Sequence, residues 1–220
     1  MLPEGGVEVE AGTEGLWLLP GLAAYWPRRK TLLVADAHLG KAAAFRGAGI
    51  PVPRGTTEEN LDRLSALART CRAERIVFLG DLVHSAAARR AASAAFIRWR
   101  RRENGLHIVL VRGNHDRHAG DPEASWEVEC VPEPHVEDTL ALCHAPQAVA
   151  GCYAIAGHTH PGARLSGRGR ERLRLPCFWF TPTHAVLPAF GAFTGLADVL
   201  PAARDRVYLA AGARVVRAGS

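Results

Sequence analysis

Lysine is nearly missing from this chain. Of its 27 basic residues only Lys30 and Lys41 are lysines, and the remainder are arginines. A disulfide pattern is missing too: the five cysteines, Cys71, Cys130, Cys143, Cys152 and Cys177, are scattered, odd in number and form no CxxC pair. That excludes a disulfide framework and a zinc–thiolate cage, and it points to a reducing, cytoplasmic setting. No stretch approaches the roughly 18 consecutive apolar residues of a membrane-crossing helix. The first residues, Met1 to Glu14, are acidic and Gly-rich, without the basic and apolar regions of an export signal. Internal repeats, low-complexity linkers and a coiled-coil period are absent as well. With 48% apolar and 22% charged residues, disorder is excluded. A length of 220 residues fits a single domain, 1–220, with a sizeable core.

What is present is a basic balance, a formal net charge of +5. Such a balance permits a polyanionic partner such as nucleic acid but does not demand one, because an Arg-rich, Lys-poor composition also reflects a GC-rich genome. Short apolar runs alternate with helical stretches. Thr31–Ala35, Arg75–Leu79 and Leu106–Val111 read as buried strands. Thr56 with Glu59 fits a capping box at a helix start, and Ser85–Glu103 reads as an Ala/Arg-rich helix closed by Asn104-Gly105. Past residue 126 the texture turns to strands without long helices between them, from Trp126–Cys130 to Arg214–Arg217. The first half therefore reads as βαβ units and the second as β-rich, which a two-sheet sandwich with helices outside accommodates.

Polar residues with metal-ligand chemistry follow the ends of successive predicted strands. They are Asp36-Ala37-His38, Gly80-Asp81, Gly113-Asn114-His115-Asp116, Cys143-His144 and Gly157-His158-Thr159-His160. Strand C-termini are where α/β sheets build their sites, since the loops there converge over the sheet edge. Taken singly, each element is weak: a DxH is a surface turn, GD a common turn, GNHD an Asx-turn with a solvated His. GHTH is more specific, because imidazoles at i and i+2 of an extended segment point the same way. Five in order, each after a strand, constitute a site. Carboxylate, imidazole and amide oxygen without thiolate suit Mn²⁺, Fe or Zn²⁺ at five or six coordination.

These residues in this order resemble the calcineurin-like metallophosphoesterases, whose pattern runs D-x-H, G-D, G-N-H-[DE], H and G-H-x-H. The runs Ala35–Lys41, Phe45-Arg46 and Pro51–Thr57 look like the ligase-associated DNA damage response endonucleases, the PdeM-type subfamily. The resemblance implies an α/β (mixed α+β) fold, a four-layer αββα sandwich of two mixed β-sheets flanked by helices. It implies two divalent metal ions, with Mn²⁺ first and Fe or Zn also fitting. One ion would be held by Asp36, His38, Asp81 and His160, the other by Asp81, Asn114, His144 and His158, with Asp81 bridging. A bridging carboxylate offsets the repulsion of two cations about 3.5–4 Å apart. His115 would bind the phosphate and protonate the leaving alkoxide, with Asp116 holding its ring in the correct tautomer. His84, in Gly80-Asp81-Leu82-Val83-His84, resembles the GDLFH motif of nucleases in the same superfamily, whose His contacts phosphate; helix capping or packing is the other reading. His107, His118, His135 and His184 read as structural or surface residues.

The resemblance fixes the reaction type better than the substrate. Net charge favours a nucleic-acid phosphodiester, as do arginine clusters at Arg89, Arg90, Arg98, Arg100, Arg101 and Arg102 and at Arg164, Arg168, Arg170, Arg172 and Arg174. Aromatic residues beside them, Phe96, Trp99, Phe178, Trp179 and Phe180, offer either stacking faces for unpaired bases or core packing. The expectation is a Mn²⁺-dependent DNA endonuclease of repair or damage response, with DNA as substrate, with DNA ligase, helicase and exonuclease as functional associates, with no membrane contact, and with homodimerisation a known habit of such nucleases. The alternatives are a small-nucleotide phosphodiesterase or phosphatase and, more remotely, a catalytically silent binding scaffold. A scaffold is expected to carry broken ligands, and none is broken here.

Overall fold

The computed structural model describes residues 1–166 and 172–218. Its chain enters through strands that composition did not suggest: β1 (Val7–Ala11), β2 (Glu14–Leu19) and β3 (Ala23–Trp26), paired antiparallel. In β1 the acids are the outward half of a strict alternation, with Val9 and Ala11 buried and Glu8 and Glu10 exposed. The acidic, Gly-rich look of this segment thus hides a one-sided strand.

β3 pairs antiparallel with β4 (Thr31–Val34), and β4, β5 (Arg75–Leu79), β6 (His107–Val111) and β7 (Val128–Val131) then run parallel. Parallel neighbours need long crossovers. These are α1 (Lys41–Gly47) with α2 (Thr56–Cys71), α3 (Ala86–Arg102) and the short α4 (Asn114–Ala119). The central strands are apolar on both faces. Leu32, Val34, Ile76, Phe78, Ile108 and Leu110 pack beneath the helices, while Leu33, Val77, Leu79, Val109 and Val111 face the second sheet.

The second sheet holds β8 (His135–Glu137), β9 (Leu140–Leu142), β10 (Tyr153–Ala156), β11 (Pro161–Ser166), β12 (Arg172–Phe180), β13 (His184–Val186), β14 (Ala197–Asp198), β15 (Arg206–Ala211) and β16 (Arg214–Arg217). Its order is β14-β11-β12-β13-β10-β9-β8, with β15 on β12 and β16 on β15. β9, β10 and β13 are mutually parallel, and the β8, β12, β15 and β16 pairings are antiparallel. The protein is therefore the expected α/β sandwich of two mixed sheets with helices outside. Among the described residues the four α-helices all lie along the first sheet, because they are its crossovers.

Two local expectations are corrected. The Thr56–Glu59 capping box does not form: Gly55, at φ +87°, is the N-cap of α2, and the Thr56 hydroxyl turns to the Pro53 carbonyl at 3.4 Å. In α3 the cap is Ser85, whose hydroxyl accepts from Ala88 N–H at 3.1 Å. The aromatic stacking expectation also fails. Ala88, Ala92, Ala95, Phe96 and Trp99 form the buried stripe of α3, as helical spacing requires. Phe96 stacks on Trp126 at 4.1 Å, and Trp99 Nε1–H donates to Ser65 at 2.8 Å. Phe178 and Phe180 are buried between the sheets, and Trp179 donates to Asp205 at 2.8 Å. Four of the six α3 arginines are engaged as well: Arg89 with the Gly120 carbonyl (2.9 Å), Arg98 with Glu58 (3.6 Å), Arg100 with Glu127 (3.0 Å) and Arg102 with Asp62 (3.0 Å). Arg168 and Arg170 lie outside the described residues.

Glu14 ties the two sheets at their edge. Its nearly buried carboxylate accepts from Trp26 Nε1–H (2.8 Å), Arg28 Nε–H (3.0 Å) and the Thr139 hydroxyl (3.3 Å), while Arg28 also reaches Asp138 at 2.8 Å in the β8–β9 turn. The Arg28 guanidinium holds the Glu14 carboxyl below the usual range. A carboxyl with a lowered folded pKa stabilises above its unfolded pKa, and that contribution is lost as pH falls through the folded value. Glu14→Gln is expected to cost about 1–3 kcal/mol near neutral pH. The gap between wild type and variant should narrow only as pH falls below the ordinary carboxylate range, through the lowered folded value at which Glu14 takes up its proton. Urea unfolding across that range measures both.

Candidate metal centre

The ligand-type residues sit just past the C-terminal ends of strands from both sheets. Asp36 and His38 follow β4, Asp81 follows β5, Asn114 follows β6, His144 follows β9, and His158 and His160 follow β10. The two sheets meet at this edge: Ala35 bridges Ala189, Phe190 N–H donates to the Ala35 carbonyl at 2.8 Å, and His158 N–H to Asp36 Oδ2 at 2.7 Å. Asp36, His38, Asp81, His158 and His160 all hold positive φ, between 43° and 71°. Left-handed backbone at such residues costs on the order of 1–3 kcal/mol each and persists only where the surroundings over-determine it.

Glycines make room for the carboxylates. A Cβ on Gly113 would lie 2.3 Å from Asp81 Oδ1, one on Gly157 2.6 Å from Asp36 Oδ2, and one on Gly80 2.1 Å from His144 Nδ1. The result is two clusters, Asp36–His38–His160 and Asp81–His144–His158, whose ligand atoms within each lie inside 4.8 Å of one another. Asp81 stands between them. Its Oδ2 is 4.0 Å from His38 Nε2 and its Oδ1 is 3.5 Å from His144 Nε2.

The chemistry of these atoms calls for cations. His144 Nδ1–H donates to the Leu79 carbonyl at 3.1 Å, which turns Nε2 into the centre. There Nε2 lies 2.8 Å from Asn114 Oδ1 and 3.0 Å from His158 Nδ1. Asp36 Oδ1 is fully buried without a hydrogen-bond partner, although its Oδ2 accepts from His158 N–H at 2.7 Å. A buried carboxylate oxygen left so is costly unless a charge matches it. Burial pushes the His38 imidazolium down to about 2, leaving a neutral ring, and pushes the Asp81 carboxyl up against the pull of His144. The donor set thus fits two divalent ions.

His115, His84 and Asp116 flank this centre. His115 Nδ1–H donates to the His84 carbonyl at 2.9 Å, which turns Nε2 toward Asp81 Oδ2, 3.9 Å away. The tautomer expectation for Asp116 is therefore corrected. The Asp116 carboxylate accepts from Gly113 N–H (2.9 Å) and Val83 N–H (3.3 Å), joining two ligand loops, and burial pushes it up to about 6. The His84 ring stacks on His115 at 4.9 Å, and burial, with the charge of Lys41, lowers its pKa. Ser85, not His84, caps α3. Of the four other histidines, His118 bonds the Asn114 carbonyl (2.6 Å), and His107, His135 and His184 bond groups outside the centre.

Two further groups escaped the sequence reading. Glu133 accepts from His144 N–H (2.8 Å) and Ala145 N–H (3.0 Å) and holds the β9 loop in place. Lys41 faces Asp36 and Asp81, with its ammonium pKa lowered by burial. The one lysine beside those acids, three residues past His38, was the available signal.

Gly113 has ordinary extended backbone (φ −84°, ψ 178°), so Gly113→Ala tests crowding alone. The variant should bind Mn²⁺ about 10–100-fold more weakly, as changes in groups supporting metal ligands do. Its stability in chelator should fall by no more than about 1–3 kcal/mol. Calorimetric titration and urea unfolding read the two effects, and unchanged Mn²⁺ affinity would place the ion away from Asp81.

Comparison with known proteins agrees with this geometry. The family model for calcineurin-like phosphoesterase matches residues 29–157. The Pseudomonas putida nuclease MPE is similar at 44% identity and a TM-score of 0.85, over 97% of this chain and 100% of that one. Yfce, a phosphoesterase from E. coli, is a distant match at 15% identity and a TM-score of 0.36, over 81% of this chain and 86% of that one. A search of curated proteins returns no significant match. On the family match and the full-length similarity, the chain belongs to the calcineurin-like phosphoesterases and is a hydrolase of phosphodiester bonds.

Proposed function

We propose that this chain is a Mn²⁺-dependent dinuclear phosphodiesterase that cuts DNA, a PdeM-type endonuclease of repair or damage response acting as one domain over residues 1–220. The observation that carries the reading is the Asp81 carboxylate set between two three-ligand clusters with His115 Nε2 beside it. Similarity to a nuclease over the full length supports nucleic acid as the substrate. In this reading Asp36, His38, Asp81 and His160 hold one ion, and Asp81, Asn114, His144 and His158 hold the other. When bound, the pair supplies Lewis acidity to the phosphoryl oxygens and lowers the pKa of a water.

The chain's own residues supply the rest. His115, oriented through Nδ1 by the His84 carbonyl, presents Nε2 to bind the phosphate and protonate the leaving alkoxide. His84, stacked on that ring, contacts the phosphate from the adjoining side. Asp116 acts as a positioning residue, because it locks the Gly113 loop against Val83. DNA ligase, helicase and exonuclease are the functional associates this reading implies, the cytoplasm its place, and a homodimer its assembly.

One observation favours the small-nucleotide alternative. The helix aromatics are core and Arg89, Arg98, Arg100 and Arg102 are bonded internally, which removes much of the expected basic groove. A Mn²⁺-supported assay of single-stranded, duplex and flap DNA beside mononucleotide and cyclic-nucleotide controls separates the two readings.

Metal-stripped protein should lose hydrolysis of bis-p-nitrophenyl phosphate and regain it with Mn²⁺; full activity in chelator would overturn the dinuclear reading. His115→Ala should keep its metal content by elemental analysis yet turn over about 10²–10⁴-fold more slowly. Loss of metal from that variant would mean that His115 has been given the wrong role.

A further inference from the structure

The loop that follows β13 is fastened to the centre at both ends. At its start Phe190 N–H donates to the Ala35 carbonyl at 2.8 Å and Gly191 N–H to the Asp36 carbonyl at 3.0 Å. A Cβ on Gly191 would fall 2.4 Å from the Ala37 carbonyl oxygen, so this segment lies directly on the Asp36–Ala37 backbone. At its far end Ala197 N–H donates to the His160 carbonyl at 2.9 Å. Asp36 and His160 belong to the same ligand cluster. Beneath the loop Phe190 is fully buried, with the Arg63 guanidinium 3.9 Å from its ring centroid and donating to its carbonyl. The base of the loop is rigid.

Between these anchors stands Phe193. It is 41% exposed, the only aromatic among the exposed large hydrophobic side chains of the described residues, and its φ is +59°. A bulky side chain in the left-handed region is an outlier whose strain the surrounding structure must offset. Leaving a phenyl ring in water forgoes further burial energy. Two residues from Gly191, its Cα lies within about 7 Å of the segment laid on Asp36. A strained, exposed aromatic on a loop pinned to two ligands of one cluster is a preset flat surface at the rim of the centre. The aromatics first suggested for this role, Phe96, Trp99, Phe178 and Phe180, are buried.

We infer that Phe193 is a nucleobase platform, stacking on the base next to the phosphate that the centre holds. The assignment rests on the reading of the substrate as a nucleotide phosphodiester. Every base has a π-face, so stacking binds unpaired bases with little sequence preference. An oligonucleotide and a free cyclic nucleotide share this chemistry.

The test compares wild type, Phe193→Ala and Phe193→Trp with Mn²⁺ on three substrates: a single-stranded oligonucleotide, the same oligonucleotide with abasic sites, and a 2′,3′-cyclic mononucleotide. Phe193→Ala should raise KM for the base-bearing substrates on the order of tenfold with little change in kcat, and Phe193→Trp should restore it. KM for the abasic strand should not move. An effect confined to the oligonucleotide identifies a strand as the source of the base, and one confined to the cyclic nucleotide identifies a free nucleotide; both support the platform. If Phe193→Ala leaves KM unchanged on cleaved nucleotides, or raises it equally for the abasic strand, the platform falls and the reading of the substrate as a nucleotide phosphodiester stands. If wild type hydrolyses a base-free diester and none of the nucleotides, both fall together.

Discussion

Two carboxylates buried among lone pairs govern this molecule. Asp36 is fully buried and Asp81 nearly so, and the atoms around them, His38, Asn114, His144, His158 and His160, present acceptors as much as donors. No such arrangement is stable by hydrogen bonding alone, since Asp36 Oδ1 and His38 Nδ1 are buried without a partner. It is stable around positive charge. The strained backbone at five of these residues and the glycines whose Cβ would strike them follow from the same requirement, which is to bring carboxylate and imidazole atoms closer than unconstrained loops hold them.

That requirement also explains why two sheets are needed. Asp36, Asp81 and Asn114 come from parallel strands of the first sheet, and His144, His158 and His160 from the second. Each cluster therefore draws on both sheets, and neither can form before the sheets pack face to face. The inter-sheet core of Leu33, Val77, Leu79, Leu140, Ile155, Phe178 and Phe180 thus sets the site's precision as well as the fold's stability. Glu14 and Arg28 clamp the same two sheets at an edge through Thr139 and Asp138.

What could be read from sequence was what depends on short range. The ligand elements were legible because each follows a buried apolar strand, and β4, β5 and β6 lie within a residue of their expected ends. The two-sheet fold was legible from the change of texture along the chain and from the family resemblance. The first three strands were not, because Glu8 and Glu10 mask the inward alternation of Val9 and Ala11. The aromatic faces of α3 went the wrong way on one reading, since period alone cannot say whether a buried stripe also meets a ligand. Asp116 and Glu133 were misjudged or missed for one reason. Their partners are backbone N–H groups at Gly113, Val83, His144 and Ala145, brought near only by tertiary folding.

The scarcity of lysine acquires a physical sense in the folded chain. Arginine forms planar, two-point contacts that an ammonium cannot, and the structure uses them as clamps. Arg75 grips Glu137 through both Nη1 (2.9 Å) and Nη2 (2.6 Å), and Arg112 grips Asp121 through Nε and Nη2, each at 2.7 Å. Arg164 and Arg174 share Asp198. Many of the arginines are thereby paired with local acids, so their number alone is a poor measure of attraction for a polyanion. The charge that matters is at the centre: two divalent ions carry twice the charge of the Asp36 and Asp81 carboxylates, and Lys41 stands beside them as a compact point charge. Positive potential is therefore concentrated where the strand ends meet, and it is that edge, more than the acid-paired arginines of the helices, that draws an anionic phosphodiester.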